Sequence, residues 1–192
     1  ETALQHFERA AQHLHGIACS FASNPTSNAR HYSIGVFFKK NSATEKENPL
    51  FFSNPIAISE YGDDALSPEA CSLLSAVVLY NMGLTYHLSF VISHPFNESL
   101  PSAMQMYEMA CTLGLQARPA GRSSHIVMAA LNNLGELHHE LGDFESSKAC
   151  LEDLSYYISC IDDPMEGEDA VQRHEFVLNS MVLGATHGAA AA

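Results

Sequence analysis

Eleven histidines in a chain of 192 residues raise the question of a metal site. Glu136 and His139 form a Glu-x-x-His pair, which on a helix directs a carboxylate and an imidazole to one face, as in carboxylate-bridged di-iron sites. Such sites need this motif on two helices and a glutamate on each of two more, whereas the chain has one copy. We therefore predict no metal and no cofactor, and keep a metal-dependent enzyme using Glu136 and His139 as an alternative.

Nucleophilic catalysis and phosphate binding also lack a sequence motif. The chain has no GxSxG sequence, no cysteine motif and no glycine-rich phosphate loop after a strand. The segment Gly121–His125 contains serine and histidine, but it is typical of a turn followed by a serine helix cap. We predict that the protein is not an enzyme.

Charge is distributed unevenly along the chain. The formal net charge is -13, and residues 136–192 carry twelve acids against two bases, whereas residues 1–135 carry ten against seven. An acidic chain repels phosphate backbones, so we predict no nucleic-acid partner. The acidic C-terminal third is either a solvated face or a surface for a basic partner.

Membrane and compartment signals are weak. The longest apolar run, residues 73–92, is interrupted by Ser75, Asn81, His87 and Ser89, so we predict no transmembrane segment. Five cysteines without a CxxC motif favour reduced thiols and an intracellular, reducing compartment. Cytoplasm and organelle interior stay open, because a chain that begins at Glu1 would already lack a targeting segment. Residues 188–192 are expected to be a tag remnant or unassigned tail.

Residues 1–66 are predicted to form an N-terminal cap. Apolar residues recur every three or four positions over 2–22, which indicates a helix. Apolar and polar residues then alternate over 31–38, the pattern of a strand. A second extended stretch follows at 50–58, and it contains Pro55. We expect the two stretches to pair as a β-hairpin.

Residues 67–187 are predicted to be a separate, helical domain. Ser67-Pro68-Glu69 is a helix start signal, with a capping hydroxyl, a proline in the first turn and an acid near the positive helix end. Breaks in the apolar pattern divide the region into five predicted helices, at 68–92, 100–116, 123–141, 143–161 and 168–184.

Two successive helix pairs share a spaced pattern. The shared positions are two leucine-type residues, a glycine and an aromatic or imidazole ring, and then small and apolar residues on the next helix: Leu79, Met82, Gly83, Tyr86, Ala103, Tyr107 and Ala110 in one pair, and Leu131, Leu134, Gly135, His138, Ser147, Leu151 and Leu154 in the other. This pattern resembles the tetratricopeptide repeat over residues 76–161. The resemblance implies a mostly α fold, a short solenoid of antiparallel helix hairpins.

The two glycines and the turn between the last two repeat helices have a physical role. Glycine inside a helix costs about 1 kcal/mol, so we expect Gly83 and Gly135 where a facing helix packs closely. Gly142 is expected to allow the turn and Asp143 to cap the following helix. The two repeats depart from the family in their spacing of 52 residues, against about 34 in the family.

The resemblance also implies a groove that binds a peptide. Its lining would be the first helix of each pair, with Tyr80, Asn81, Leu84, His87, Asn132, Asn133, Glu136, His139 and Glu140 as the implied partner-binding residues. The asparagines Asn81 and Asn133 match family positions that hydrogen-bond a ligand backbone. Tyr80 and Leu84 beside Glu136 suit a basic or amphipathic segment.

The predicted function is therefore a non-catalytic protein–protein interaction module, an adaptor or a subunit of a larger assembly. It would bind a partner segment through this groove or through the acidic C-terminal surface. The alternative is a purely structural subunit whose groove is filled by its own N-terminal or C-terminal helix.

Overall fold

The computed structural model describes residues 35–38, 51–59, 68–93, 99–117, 122–160 and 174–183. Within these residues the protein is mostly α-helical, which confirms the predicted class. The helices are α1 (Pro68–Ser93), α2 (Ser99–Gln116), α3 (Arg122–Glu140), α4 (Phe144–Cys160) and α5 (174–183). The predicted helix at 2–22 and the tail at 188–192 lie outside the described residues.

The helix bounds agree closely with the sequence pattern. The first four helices begin and end within one residue of the predicted positions. The fifth, 174–183, lies inside the predicted range 168–184, whose remaining residues are outside the described part of the chain. The helix bounds were predicted from capping and helix-breaking residues at the helix ends rather than from overall apolarity.

Two short strands precede the helices. β1 (Gly35–Phe38) and β2 (Ile56–Ser59) pair antiparallel, with Gly35 opposite Ser59 and Phe38 opposite Ile56. β1 lies within the first stretch expected to form a β-hairpin, and β2 overlaps the second and extends one residue past it. The residues that would connect the strands lie outside the described ones. Strand β2 contacts α1, and β1 contacts α3. The strands therefore lie against the first helix of each predicted repeat.

The helices pack in chain order around one core. α1 contacts α2, α2 contacts α3, and α3 contacts α4. Fully buried rings and aliphatic side chains from successive helices meet there, among them Tyr80, Tyr107 and Leu154. Phe52 and Ile56, which precede α1 in the chain, are buried in the same core. The described part of the predicted N-terminal cap thus shares the core of the helices.

Helix α1 is long and apolar enough to cross a membrane by length and composition alone, and it is the one such helix among the described residues. Core helices of soluble proteins pass the same test, and 61% of the relevant window is buried in the protein. The polar residues Asn81 and His87, which interrupt its apolar run, are buried inside the protein as well.

Both helical glycines lie where a facing helix comes close, as predicted. A Cβ atom on Gly83 would lie 2.8 Å from Cε1 of Tyr107 and 3.3 Å from the carbonyl oxygen of Ala103. At Gly135 the closest atom would be Cδ2 of Leu151, at 3.2 Å. The hydroxyl of Ser147 donates a hydrogen bond to the Gly135 carbonyl at 2.6 Å, so the two helices also share a polar contact at this glycine.

The turn between α3 and α4 also forms as predicted. Gly142 has a φ of +75°, a left-handed conformation that favours glycine. The Asp143 carboxylate accepts a hydrogen bond from the Ser146 backbone N–H at 3.2 Å. Hydrogen bonding to the side chain and to the backbone N–H of Ser146 lowers the pKa of this carboxyl group. His138 keeps 16% of its side chain exposed, and its Nδ1 lies 3.2 Å from the same carboxylate.

The two glycines give a matched test of close packing. We expect Gly83→Ala to lower the free energy of unfolding by about 1–3 kcal/mol, because the buried Tyr107 ring cannot yield to the new methyl group. Gly135→Ala should be close to neutral, since the flexible Leu151 end can shift and alanine gains helix propensity. Urea unfolding of both variants measures the difference. Equal stabilities would contradict the close contact at Gly83.

Candidate functional site

The candidate site is a groove between α1 and α3, and a part of the chain itself fills it. Residues 51–56, here called the groove segment, run along it without helical structure and lead into β2. Phe52 and Ile56 are 3% and 4% exposed, so the segment is inserted rather than laid on the surface. The occupant is an extended piece of the N-terminal region, where the sequence suggested a helix as the possible internal occupant.

Asn81 on α1 binds the backbone of Ile56 at both polar atoms. Its side-chain oxygen accepts from the Ile56 N–H at 2.9 Å, and its amide nitrogen donates to the Ile56 carbonyl at 2.8 Å. A carboxamide that bonds both the N–H and the carbonyl of one residue supplies the two hydrogen bonds that a neighbouring β-strand would otherwise make. It requires a non-helical ligand, because a helix uses these groups internally.

Asn133 on α3 makes the equivalent pair of bonds to Phe52. Its oxygen accepts from the Phe52 N–H at 3.0 Å, and its amide nitrogen donates to the Phe52 carbonyl at 3.1 Å. The same nitrogen lies 3.2 Å from the Tyr107 hydroxyl oxygen. Asn81 and Asn133, the asparagine clamp, thus bind backbone groups four residues apart.

A buried phenol adds a third polar contact to the groove segment. The Tyr80 hydroxyl lies 3.3 Å from the carbonyl oxygens of both Phe52 and Asn54, to which it donates. Burial raises the Tyr80 pKa well above its usual range, so the phenol keeps its proton. These contacts involve backbone atoms, so they do not depend on the side chains of the bound segment.

Side chains of the segment fill apolar space in the groove. The ring of Phe52 lies 4.7 Å from that of Phe176 on α5, measured between centroids. Phe51 covers the imidazole of His87, with a centroid distance of 4.1 Å. Residues 51–56 contain no charged side chain. The groove therefore accepts large apolar side chains on a segment that has no charged residue.

Helix α5 is joined to the groove through further asparagines. The Asn179 amide donates to the Asn132 oxygen at 3.0 Å, and the Asn132 amide donates to the Asn133 oxygen at 3.2 Å. Asn132 is fully buried and Asn179 is 7% exposed. Buried amides of this kind hold a specific arrangement because an unpaired partner would be costly.

The structure brings most of the predicted partner-binding residues together but buries them. The buried ones are Tyr80, Asn81, Leu84, His87, Asn132, Asn133 and Glu136. His139 is half-buried and Glu140 is exposed. In this arrangement Tyr80 and Leu84 do not offer an open surface beside Glu136 to a basic partner, because the groove segment and the helices enclose them.

Three of the polar residues form a compact cluster at one end of the groove. Donor atoms of His87, Glu136 and Glu140 all lie within 4.8 Å of one another. Nε2 of His87 is 3.1 Å from a carboxylate oxygen of Glu136. We call these three residues the His87 cluster. His139 of the Glu-x-x-His motif is not in it, and its ring packs against Phe144 at 5.4 Å instead.

The cluster alters the protonation of Glu140. Partial desolvation of the Glu140 carboxyl group, the negative charge of Glu136 and a hydrogen bond with Glu136 together raise the Glu140 pKa from 4.5 to about 7. Glu140 therefore keeps its proton at mildly acidic pH. The Tyr107 hydroxyl lies 3.5 Å from the other ring nitrogen of His87, and burial also keeps this phenol protonated by raising its pKa.

Sequence reasoning missed several members of this site. Phe52 and Ile56 were recognised as an extended stretch but not as occupants of the groove, and Tyr107 only as a packing residue. The usable signal was the pair Asn81 and Asn133, polar residues within predicted core helices, because buried amides need partners. Nothing in the sequence indicates which backbone would supply them.

Comparison of the chain with protein-family models, with curated proteins and with solved structures gave no significant match in any of the three. Functional inference for this protein therefore depends on its own residues and their geometry.

We expect Asn81→Ala to release the groove segment at one point. The N–H and carbonyl of the buried Ile56 would lose their partners, at about 1–3 kcal/mol for each group left unpaired. Hydrogen exchange should show faster exchange at the Ile56 amide than in the wild type. Thr85→Ala is a matched control, since Thr85 donates to the Asn81 backbone carbonyl and not to the segment. Unchanged protection of Ile56 in Asn81→Ala would contradict the assignment.

The raised Glu140 pKa predicts a pH-dependent stability. Between pH 4.5 and about 7 the folded state holds a proton that the unfolded state releases, so the free energy of unfolding falls as the pH rises through this range. Glu140→Gln should remove this part of the fall, since His87 and Glu136 are unchanged. Chemical unfolding across the range, with a chelator present, measures it. Glu145→Gln, an exposed glutamate of α4, should keep the wild-type profile. A Glu140→Gln profile as steep as the wild type would contradict the shift.

Proposed function

We propose that the protein is a non-catalytic, tetratricopeptide-like interaction module whose groove binds non-helical protein segments by their backbone. The observation that carries this proposal is the asparagine clamp, in which Asn81 and Asn133 each bond both polar backbone atoms of one residue. Residues 51–56 of the chain itself serve as the example of a segment that this groove binds. A partner segment would take its place.

The groove segment defines the class of ligand. Each clamped residue has a large apolar side chain, and the two are four positions apart. No charge lies between them, and Pro55 directly precedes the second. The proposed ligand is therefore an uncharged, extended protein segment with large apolar residues at positions p and p+4. A basic partner, if one binds, would use the acidic C-terminal surface instead.

The chain's own residues occupy the groove, and this supports a second candidate function. A purely structural subunit would keep residues 51–56 in the groove permanently, as one more element of its core. The burial of Phe52 and Ile56 favours this alternative. The two functions differ in whether the groove segment exchanges with a second chain.

An exchange experiment separates these functions. In the wild type the internal segment competes at an effective concentration on the order of millimolar, so an added peptide binds poorly. A full-length Phe52→Ala/Ile56→Ala variant should bind a labelled peptide of residues 50–59 at least about tenfold more tightly than the wild type does, because the weakened internal segment leaves the groove. Fluorescence anisotropy measures both affinities.

Two controls make the outcome specific. The same peptide with both apolar residues replaced by alanine should not bind, and adding Asn133→Ala to the protein variant should weaken binding of the original peptide. Circular dichroism must show that the variant keeps its helices. A helical variant that binds no peptide would reject the exchange and favour the structural subunit.

A further inference from the structure

We propose that His87, Glu136 and Glu140 bind a single divalent transition-metal ion, for which Zn²⁺ is the natural probe. The proposal concerns the far end of the groove and does not depend on peptide binding. Helix α1 supplies the imidazole, and α3 supplies both carboxylates from positions four residues apart, which face the same way on a helix. A bound ion would join the two groove helices directly.

The position of the His87 ring is the first observation. Nε2 is buried and has no hydrogen-bond partner among the described residues, although a Glu136 oxygen is 3.1 Å away. The two atoms are close, but their angles do not suit a hydrogen bond. Two atoms that each lie about 2.1 Å from one zinc ion are about 3.0–3.5 Å apart. The observed separation of 3.1 Å lies within this range.

The opposite ring nitrogen is the second observation. Nδ1 lies 3.5 Å from the Tyr107 hydroxyl oxygen, which in turn accepts from the Asn133 amide at 3.2 Å. Metal-binding histidines are oriented by such a partner on the nitrogen that does not bind the metal. The Phe51 ring, 4.1 Å from the imidazole, shields the same residue from water.

The third ligand, Glu140, lies on the side from which an ion can enter the site. Glu140 is exposed while His87 and Glu136 are buried, so an ion can enter from one side. The donor atoms lie within 4.8 Å of one another, and Glu140 is the exposed member of the three. One imidazole with two carboxylates favours zinc, manganese or iron over calcium and magnesium, which prefer oxygen ligands alone.

A metal titration of the full-length protein tests the site. Competition with a zinc-binding indicator should give one ion per chain in the wild type. Glu140→Gln should bind at least about tenfold more weakly, since even residues that only orient a ligand contribute about 10–100-fold to metal affinity. His139→Gln and Glu145→Gln, a nearby histidine and an exposed glutamate outside the cluster, should keep the wild-type affinity.

A measurement on the unmodified protein makes the result independent of variant folding. Zinc should shift the ¹⁵N resonance of His87 Nε2 and leave that of His139 in place. The proposal is overturned if the wild type binds no stoichiometric zinc, if Glu140→Gln binds as tightly as the wild type, or if His139 is the imidazole that responds. If only the peptide-exchange experiment failed, the three results expected for the metal site would be unchanged.

Discussion

The structure depends on buried side-chain amides that bond a peptide backbone. Asn81 and Asn133 lie on core helices, and both are almost fully removed from water. A buried amide without partners costs several kcal/mol, so the helices can pack in this way only if something supplies both donors and acceptors. The groove segment does so with the N–H and carbonyl groups of Phe52 and Ile56. The packing of these helices therefore depends on a segment being bound in the groove.

The same amides connect the groove to the His87 cluster. Asn133 bonds the groove segment on one side and the Tyr107 hydroxyl on the other, and Tyr107 lies against His87. Phe51 of the segment covers the His87 ring. Movement of the segment would thus change the surroundings of the cluster, and an ion bound there would favour the arrangement in which the segment is in place.

Sequence reasoning succeeded where local chemistry decides the structure. Capping residues and breakers fixed the helix bounds, Gly83 and Gly135 indicated close helix contacts, and Gly142 with Asp143 indicated the turn. It grouped residues that the structure brings together between α1 and α3, but it did not find the segment that contacts them, because a contact such as Asn133 with Phe52 joins positions 81 residues apart. The His87 cluster was missed for the same reason: its imidazole and carboxylates come from two helices. The local Glu-x-x-His motif pointed to His139, which packs on Phe144 instead.

The central claim is that two carboxamides hold the backbone of residues 52 and 56. Scalar couplings transmitted across hydrogen bonds, measured by NMR on labelled protein, report this directly. The account predicts couplings between the Phe52 amide nitrogen and the Asn133 side-chain carbonyl carbon, and between the Ile56 amide nitrogen and that of Asn81. Absence of both couplings, with rapid solvent exchange at the two amides, would contradict it.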